Sequence, residues 1–320
     1  PAPMMQAPDP DPRRADAPLV GVSSCLCGEA VRYDGRDKRD DVVADVLPRF
    51  VRLLPLCPEV AIGLGVPRPP IRLEGEPGAV RVVGVVERSL DVTERLEAFG
   101  RETAARHPNL CGYVFKSKSP SCGLRNVKRY AKGQEYQDGS GLYAAAIRRA
   151  FPLLPVAEEG DLATESSRED FLTAVFAYHR WQALLSLGPT PRLLQDFHAA
   201  HKLVLLARSR VHLDRLGQLA AAAAVPTLAE TGRQDGELLM QALALPSTRE
   251  RHADALQHLQ GFLKQRLDGR SRAELAAAID DYRRGLVPRT VPLTLLRQHC
   301  ERHPHAYVQR QVYLHQPFEY

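Results

Sequence analysis

From residue 19 onward the chain alternates short apolar runs with stretches whose apolar positions recur at helical spacing. PLVGVSSCLCG reads as a buried strand running into a loop, and DDVVADVLPRF as a short helix. FVRLLPLCPEV is again a strand ending in a loop, and the GLGVPRPP that follows is too rich in Gly and Pro for regular structure. AVRVVGVVE alternates as a strand does, VTERLEAFGRETAARH is an amphipathic helix, and LCGYVFKSKSPSCG is a third strand entering a loop. Repeated strand, loop and helix predict an α/β N-terminal domain, a parallel sheet in a Rossmann-like three-layer arrangement with helices on both faces. Beyond the polar segment LPVAEEGDLATESSRED, whose residues 161–168 read as a helix-cap region, apolar residues recur at i, i+3, i+4 and i+7. Gly188, Gly217 and Pro246 punctuate the ends of these helices, which predicts an all-α C-terminal helical domain. No fixed-period repeat runs through either half. The expected organisation is a disordered leader over 1–18, a first domain over 19–158 and a helical domain over 171–320.

A chain of 320 residues with 44% hydrophobic content is long enough for two cores. No run approaches the roughly 18 apolar residues of a spanning helix, and the Pro-rich, charged start has no apolar signal region, so the expectation is a cytoplasmic protein without a membrane partner. The net charge of +5 is unevenly spread. Residues 171–320 hold 19 Lys and Arg against 13 Asp and Glu, together with ten of the eleven His, whereas the front portion is close to neutral. Such segregation points the back half toward a polyanion, the alternative being an ordinary solvated helical surface.

Six cysteines in 320 residues are too few for a disulfide-stapled scaffold, so they read as free thiols, metal ligands or catalysts. Cys25, Cys57 and Cys122 each lie at or just past the carboxyl end of a predicted strand, in a loop dense in Gly, Pro and Ser, where open α/β sheets bind ligands. Thiolates placed this way suit an iron-sulfur cluster or zinc, and the absence of a compact C-x-x-C pair argues against a zinc ribbon. Glu59, two residues after Cys57, is the candidate general acid or base, the other reading being an exposed loop carboxylate or an anchor. Ser119 joins it as a catalytic candidate, since Ser119 and Ser121 could hydrogen-bond a base or orient water. Ser24, Arg32, Asp34 and Ser121 are substrate-binding candidates, although Arg32 and Asp34 equally suit a pair that stabilises its own turn.

Three ordered motifs, SSCLCGEAVRYDG, CPEVAIGLGVPRPPIRL and KSKSPSCG, make residues 19–155 resemble the thiouracil desulfidase family, formerly a domain of unknown function. The resemblance implies that Cys25, Cys57 and Cys122 hold a [4Fe-4S] cluster whose fourth iron has no protein ligand and is free to bind the substrate's sulfur. It implies non-redox removal of that sulfur as sulfide, with water supplying the oxygen. Cys27 departs from the family pattern, where an aliphatic residue is usual, and is expected to point into packing. Cys111 reads as a core thiol and Cys300 as structural.

Residues 171–320 resemble the helical domain often fused to this one. The fusion is similar to bacterial desulfidases acting on 4-thiouridine in tRNA, which implies tRNA as partner, with no DNA expected. Lys202, Arg208, Arg210, His258, Lys264, Arg283 and Arg284 are the candidate RNA contacts, with Tyr282 available to stack on a splayed base. Arg208 stands where the family would have histidine. The competing readings are an enzyme acting on free thiouracil or another small thiolated base, and a non-catalytic iron-sulfur sensor that binds RNA without releasing sulfide.

Overall fold

The structure, a computed structural model, describes residues 16–223 and 228–318. Residues 1–15 of the expected leader lie outside the described residues. The chain divides after Thr164 into two compact units.

In chain order the front unit contains β1 (Leu19–Ser23), β2 (Arg52–Leu56), α1 (Pro58–Ala61), β3 (Ile71–Glu74), β4 (Arg81–Gly84), α2 (Thr93–Arg106), β5 (Leu110–Phe115), β6 (Val127–Ala131), β7 (Gln134–Gly139), α3 (Leu142–Ala150) and β8 (Val156–Glu158). The parallel sheet that the sequence predicts is present, with β2, β1, β5 and β8 side by side in that order and every neighbouring pair parallel. The run LCGYVF of β5 is buried at every position, which a strand with neighbours on both sides and both faces covered requires. A Cβ on Gly21 would stand 2.3 Å from the Tyr113 ring, so only a glycine lets that ring lie across β1. Tyr113, Phe115 and Tyr143 form an aromatic core between sheet and α3. Helices α2 and α3 approach closely at Gly100, where an added Cβ would stand 2.5 Å from that of Ala146.

A second sheet, ordered β4-β3-β6-β7, goes beyond the sequence reading. It joins two antiparallel hairpins through the parallel pair β3 and β6. The β6–β7 turn is the two residues Lys132 and Gly133, both at positive φ, the turn whose twist matches that of the flanking strands. The helix expected over DDVVADVLPRF is instead a π turn over Val42–Val46 followed by a 3-10 turn over Leu47–Arg49. Pro48 lacks the N–H that a regular helix would need there.

The back unit is helical as predicted: α4 (Glu165–Ser186), α5 (Pro191–Leu206), α6 (Arg210–Ala222), α7 (Leu228–Leu243), α8 (Arg249–Leu263), α9 (Gly269–Arg283), α10 (Thr290–Arg302) and α11 (Ala306–Gln309). Thr190, Ser209, Thr248 and Asp268 cap four of these helices, each side chain accepting the N–H three residues on. The core collects Trp181, Leu194, Leu203, Leu239, Leu256 and Leu296. No helix among the described residues is long and apolar enough to cross a membrane.

Candidate active site

The register of the parallel sheet pairs Ser23 with Leu56 and Val22 with Val114, so the carboxyl ends of β1, β2 and β5 lie side by side. The chain leaves β1 in a 3-10 turn over Ser24–Cys27, closed by Gly28 at φ +93. Cys57 follows β2 as the N-cap of α1. Beyond β5, the loop ending at Cys122 is held from outside by α3: the N–H groups of Leu142 and Ala144 donate to the carbonyls of Pro120 and Ser121. Within the loop the Ser119 hydroxyl accepts the N–H of Ser121 and of Cys122, at 3.2 and 3.1 Å. Three separate crossovers thus deliver Cys25, Cys57 and Cys122 to the wall of one cavity of about 830 Å³.

The three thiols influence one another. Burial, and then the neighbouring Cys57, push Cys25 up to about 11, opposed by Lys116 and Arg32. Cys122 is driven well above the ordinary thiol range by burial, which a hydrogen bond from the Ser23 hydroxyl partly offsets. Burial also raises Cys57, against the N–H groups of Val60 and Glu59 at the start of α1. Buried thiols of this kind hold their protons near neutral pH until a metal displaces them. Among the described residues no three His, Cys, Asp or Glu side chains converge as the donor set of a single metal ion. Three soft donors spaced around a common cavity fit a multi-iron cluster, in which each cysteine binds a different iron. Ser24 also lines the cavity, and its buried hydroxyl has no hydrogen-bond partner.

Glu59 is tied down on both oxygens. Its Oε2 accepts from Arg68 Nε and Nη2 at 2.9 and 2.8 Å, and its Oε1 accepts the Ser121 hydroxyl at 2.9 Å. Arg32 lines the cavity, but Asp34 does not. Asp34 is used within its own turn, by Arg32 at 3.4 Å and by the Arg36 backbone N–H and Nε at 3.2 and 3.0 Å, so the turn-stabilising reading replaces substrate contact for Asp34.

The sequence reading missed three residues here. Ser23 accepts the Lys116 N–H at 2.9 Å while donating to Cys122. Lys116 reaches into the cavity wall and pairs with Glu159, which also accepts the Ser117 N–H at 2.8 Å. Arg68 is the third, and an arginine flanked by prolines in VPRP was the only sign of it. Of the remaining cysteines, Cys111 is buried in β5 and Cys300 in α10. Cys27 lies off the cavity wall, its thiol raised to about 11 by burial and Glu29.

In the helical unit burial lowers the His258 imidazole, and the charges of Lys202 and Arg210 lower it further, while Arg210 pairs with Asp214 at 3.2 Å. Lys264 is exposed at the end of α8. Arg283 faces Asp254 at 3.4 Å, and Arg284 pairs with Asp280 at 3.0 Å and with Asp281. Two expectations are corrected. Arg208 is only 3% exposed, bound to Asp170 at 2.8 Å and to the Leu245 carbonyl at 2.8 Å, so it is a buried structural cation and not an RNA contact. Tyr282 is 6% exposed beneath the Arg249 guanidinium, and no base can reach its ring.

Comparison with known proteins agrees with the division of the chain. The profile of the family described as 2-thiouracil desulfurase matches residues 20–159, and that of a protein family of unknown function, DUF1722, matches residues 202–317. The uncharacterized protein YbgA of Escherichia coli (strain K12) is 32% identical over 143 residues, which are 44% of this chain and 85% of that protein. A solved structure of the [4Fe-4S]-dependent thiouracil desulfidase TudS is 33% identical, with 45% of this chain and 93% of that chain covered at a TM-score of 0.38. Residues 20–159 therefore form a domain of the 2-thiouracil desulfurase family of desulfidase enzymes, which this chain joins to a DUF1722 domain.

Proposed function

We propose that this protein is a [4Fe-4S]-dependent, non-redox desulfidase that converts 4-thiouridine in tRNA to uridine and sulfide. The observation that carries the reading is the delivery of Cys25, Cys57 and Cys122 to one cavity by three adjacent parallel strands. These three residues would hold the cluster, which supplies a Lewis-acidic iron with an open position for the substrate's sulfur. Water adds to the ring carbon as the carbon–sulfur bond breaks, so one water and one thiocarbonyl give one carbonyl and one hydrogen sulfide. Glu59, which lines the cavity itself, takes the proton of that water, and the fully buried Ser121 hydroxyl, off the cavity wall, holds its Oε1 in place rather than touching substrate. Ser24, with a hydroxyl free of partners, orients the ring, and Arg32 closes the wall beside it. Ser119 acts by shaping the loop that carries Cys122.

The surplus of Lys and Arg over Asp and Glu in residues 171–320, with Lys264 exposed at the end of α8, supports phosphate contact by the helical unit. A second reading, turnover of a free thiolated base, is favoured by the cavity's lying wholly within the front unit. Both are tested with anaerobically reconstituted full-length protein, following the near-ultraviolet absorbance of the thiolated nucleoside and the sulfide released. Turnover of thiolated tRNA that weakens steeply with salt supports the RNA substrate, and turnover confined to the free base and indifferent to salt supports the second reading. Cys25→Ala, Cys57→Ala and Cys122→Ala lose both iron and activity, whereas Cys111→Ala keeps both. Iron retained by Cys122→Ala, or lost by Cys111→Ala, overturns the ligand assignment.

A further inference from the structure

We infer that Arg68 is the positioning residue of this site: one buried guanidinium locks the cysteine-bearing loops into a single frame and aims the Glu59 carboxylate. The inference rests on the proposed cluster site and has Arg68 act through its partners, since its donors are taken by Glu59, Val31 and Gly65.

Arg68 is enclosed, its side chain 4% exposed, and its donors are distributed among separate loops. Nε and Nη2 both reach Glu59 Oε2, two residues beyond Cys57. Nη1 donates to the Val31 carbonyl at 2.9 Å, in the loop that follows Cys25, and to the Gly65 carbonyl at 2.8 Å. That same Val31 carbonyl lies 3.8 Å from the Cys57 sulfur. The third loop joins through Ser121, fully buried beside Cys122, whose hydroxyl donates to Glu59 Oε1. The chain Val31, Arg68, Glu59, Ser121 thus runs from the loop of Cys25 through that of Cys57 to that of Cys122. A planar guanidinium can bind a carboxylate and two carbonyls in fixed directions at once, which a lysine ammonium at the end of a flexible stem cannot. Outer partners of metal ligands commonly change metal affinity or activity by about 10–100-fold when removed.

The test compares wild type, Arg68→Lys, Glu59→Gln and the double variant as full-length proteins. Iron and acid-labile sulfide per chain are measured after anaerobic reconstitution, along with kcat and KM on the thiolated substrate and thermal midpoints without the cluster. Arg68→Lys retains the charge beside Glu59 but cannot satisfy all its acceptors. It is expected to fold, to lose its cluster at least 10-fold faster under chelator challenge, and to lower kcat with little change in KM. In the Glu59→Gln background the same Arg68→Lys change should lower kcat by less than 3-fold further, because the carboxylate it aims is already gone. Wild-type cluster retention in Arg68→Lys, or a full multiplicative loss of kcat in the double variant, overturns the inference. Because chelator challenge is read without substrate, an enzyme inactive on thiolated uracil would refute the proposed function while leaving this inference to be judged by its own readout.

Discussion

A single methyl group on Gly141 should dislodge Cys122. Gly141 precedes α3 at φ −63 and ψ 136, a conformation open to any residue, so Gly141→Ala carries no backbone strain of its own. Its cost is purely steric. The added Cβ would lie 2.4 Å from the Ser121 carbonyl carbon, 2.5 Å from its oxygen and 2.7 Å from the Cys122 nitrogen, about 1 Å short of an ordinary 3.4 Å contact. All three atoms are backbone, and the loop is gripped by the N–H groups of Leu142 and Ala144, so no flexible side chain can yield in its place. Either the loop or the start of α3 must move by about 1 Å. Overpacking of this size destabilises by about 1–3 kcal/mol, and a reacting centre displaced by about 1 Å can lose about 100-fold in rate. The assay is iron per chain after reconstitution, the thermal midpoint, and kcat on the thiolated substrate, with Gly160→Ala as control because nothing lies within 4 Å of a Cβ there. Full iron content and a wild-type rate in Gly141→Ala would refute the claim that this loop's position sets the site.

Further expectations concern the helical unit. Arg208→Gln leaves the part-buried Asp170 with its two Ser247 donors but without its cation, and should destabilise the protein by about 1.5–3 kcal/mol in thermal unfolding. An unchanged midpoint together with a raised KM for tRNA would return Arg208 to the RNA surface. Burial holds the His201 imidazole down at about 3, against an ordinary 6.5, so between those values the unfolded chain binds the extra proton and stability falls as pH falls. His201→Phe, which preserves the stack on Phe197, should make the acid limb of stability shallower by about 1.4 kcal/mol per pH unit, measured by denaturant unfolding from pH 7 to pH 4. An equally steep limb would assign the acid sensitivity elsewhere. Neutralising Lys202 and Arg210 together should raise KM for tRNA and reduce the slope of log affinity against log salt by roughly 1–2, and an unaltered slope removes them from the interface.

Local pattern alone determined the strands β1, β2, β4 and β5, the helix α2 and the helical back half, because each is either a short apolar run bounded by loop residues or a stretch whose apolar period the residue order displays directly. It also marked Cys25, Cys57 and Cys122, since each sits where an apolar strand gives way to a Gly-, Pro- and Ser-rich loop. Strand order was not available in this way. Only the pairing of β1 with both β2 and β5 makes the three cysteines neighbours, and pairing is a matter of long-range contact. The polar hairpin β6–β7 escaped notice because its outward residues mask the alternation. Arg208 and Arg210 look alike in sequence, both basic and two residues apart. The end of α5 turns one onto Asp170 in the interior and leaves the other in solvent, and only the packed helices decide which. Arg68 shows the same division most sharply: its charge is plain in the chain, but its acceptors, Val31, Glu59 and Gly65, become a single site only when the loops between strands close upon one another.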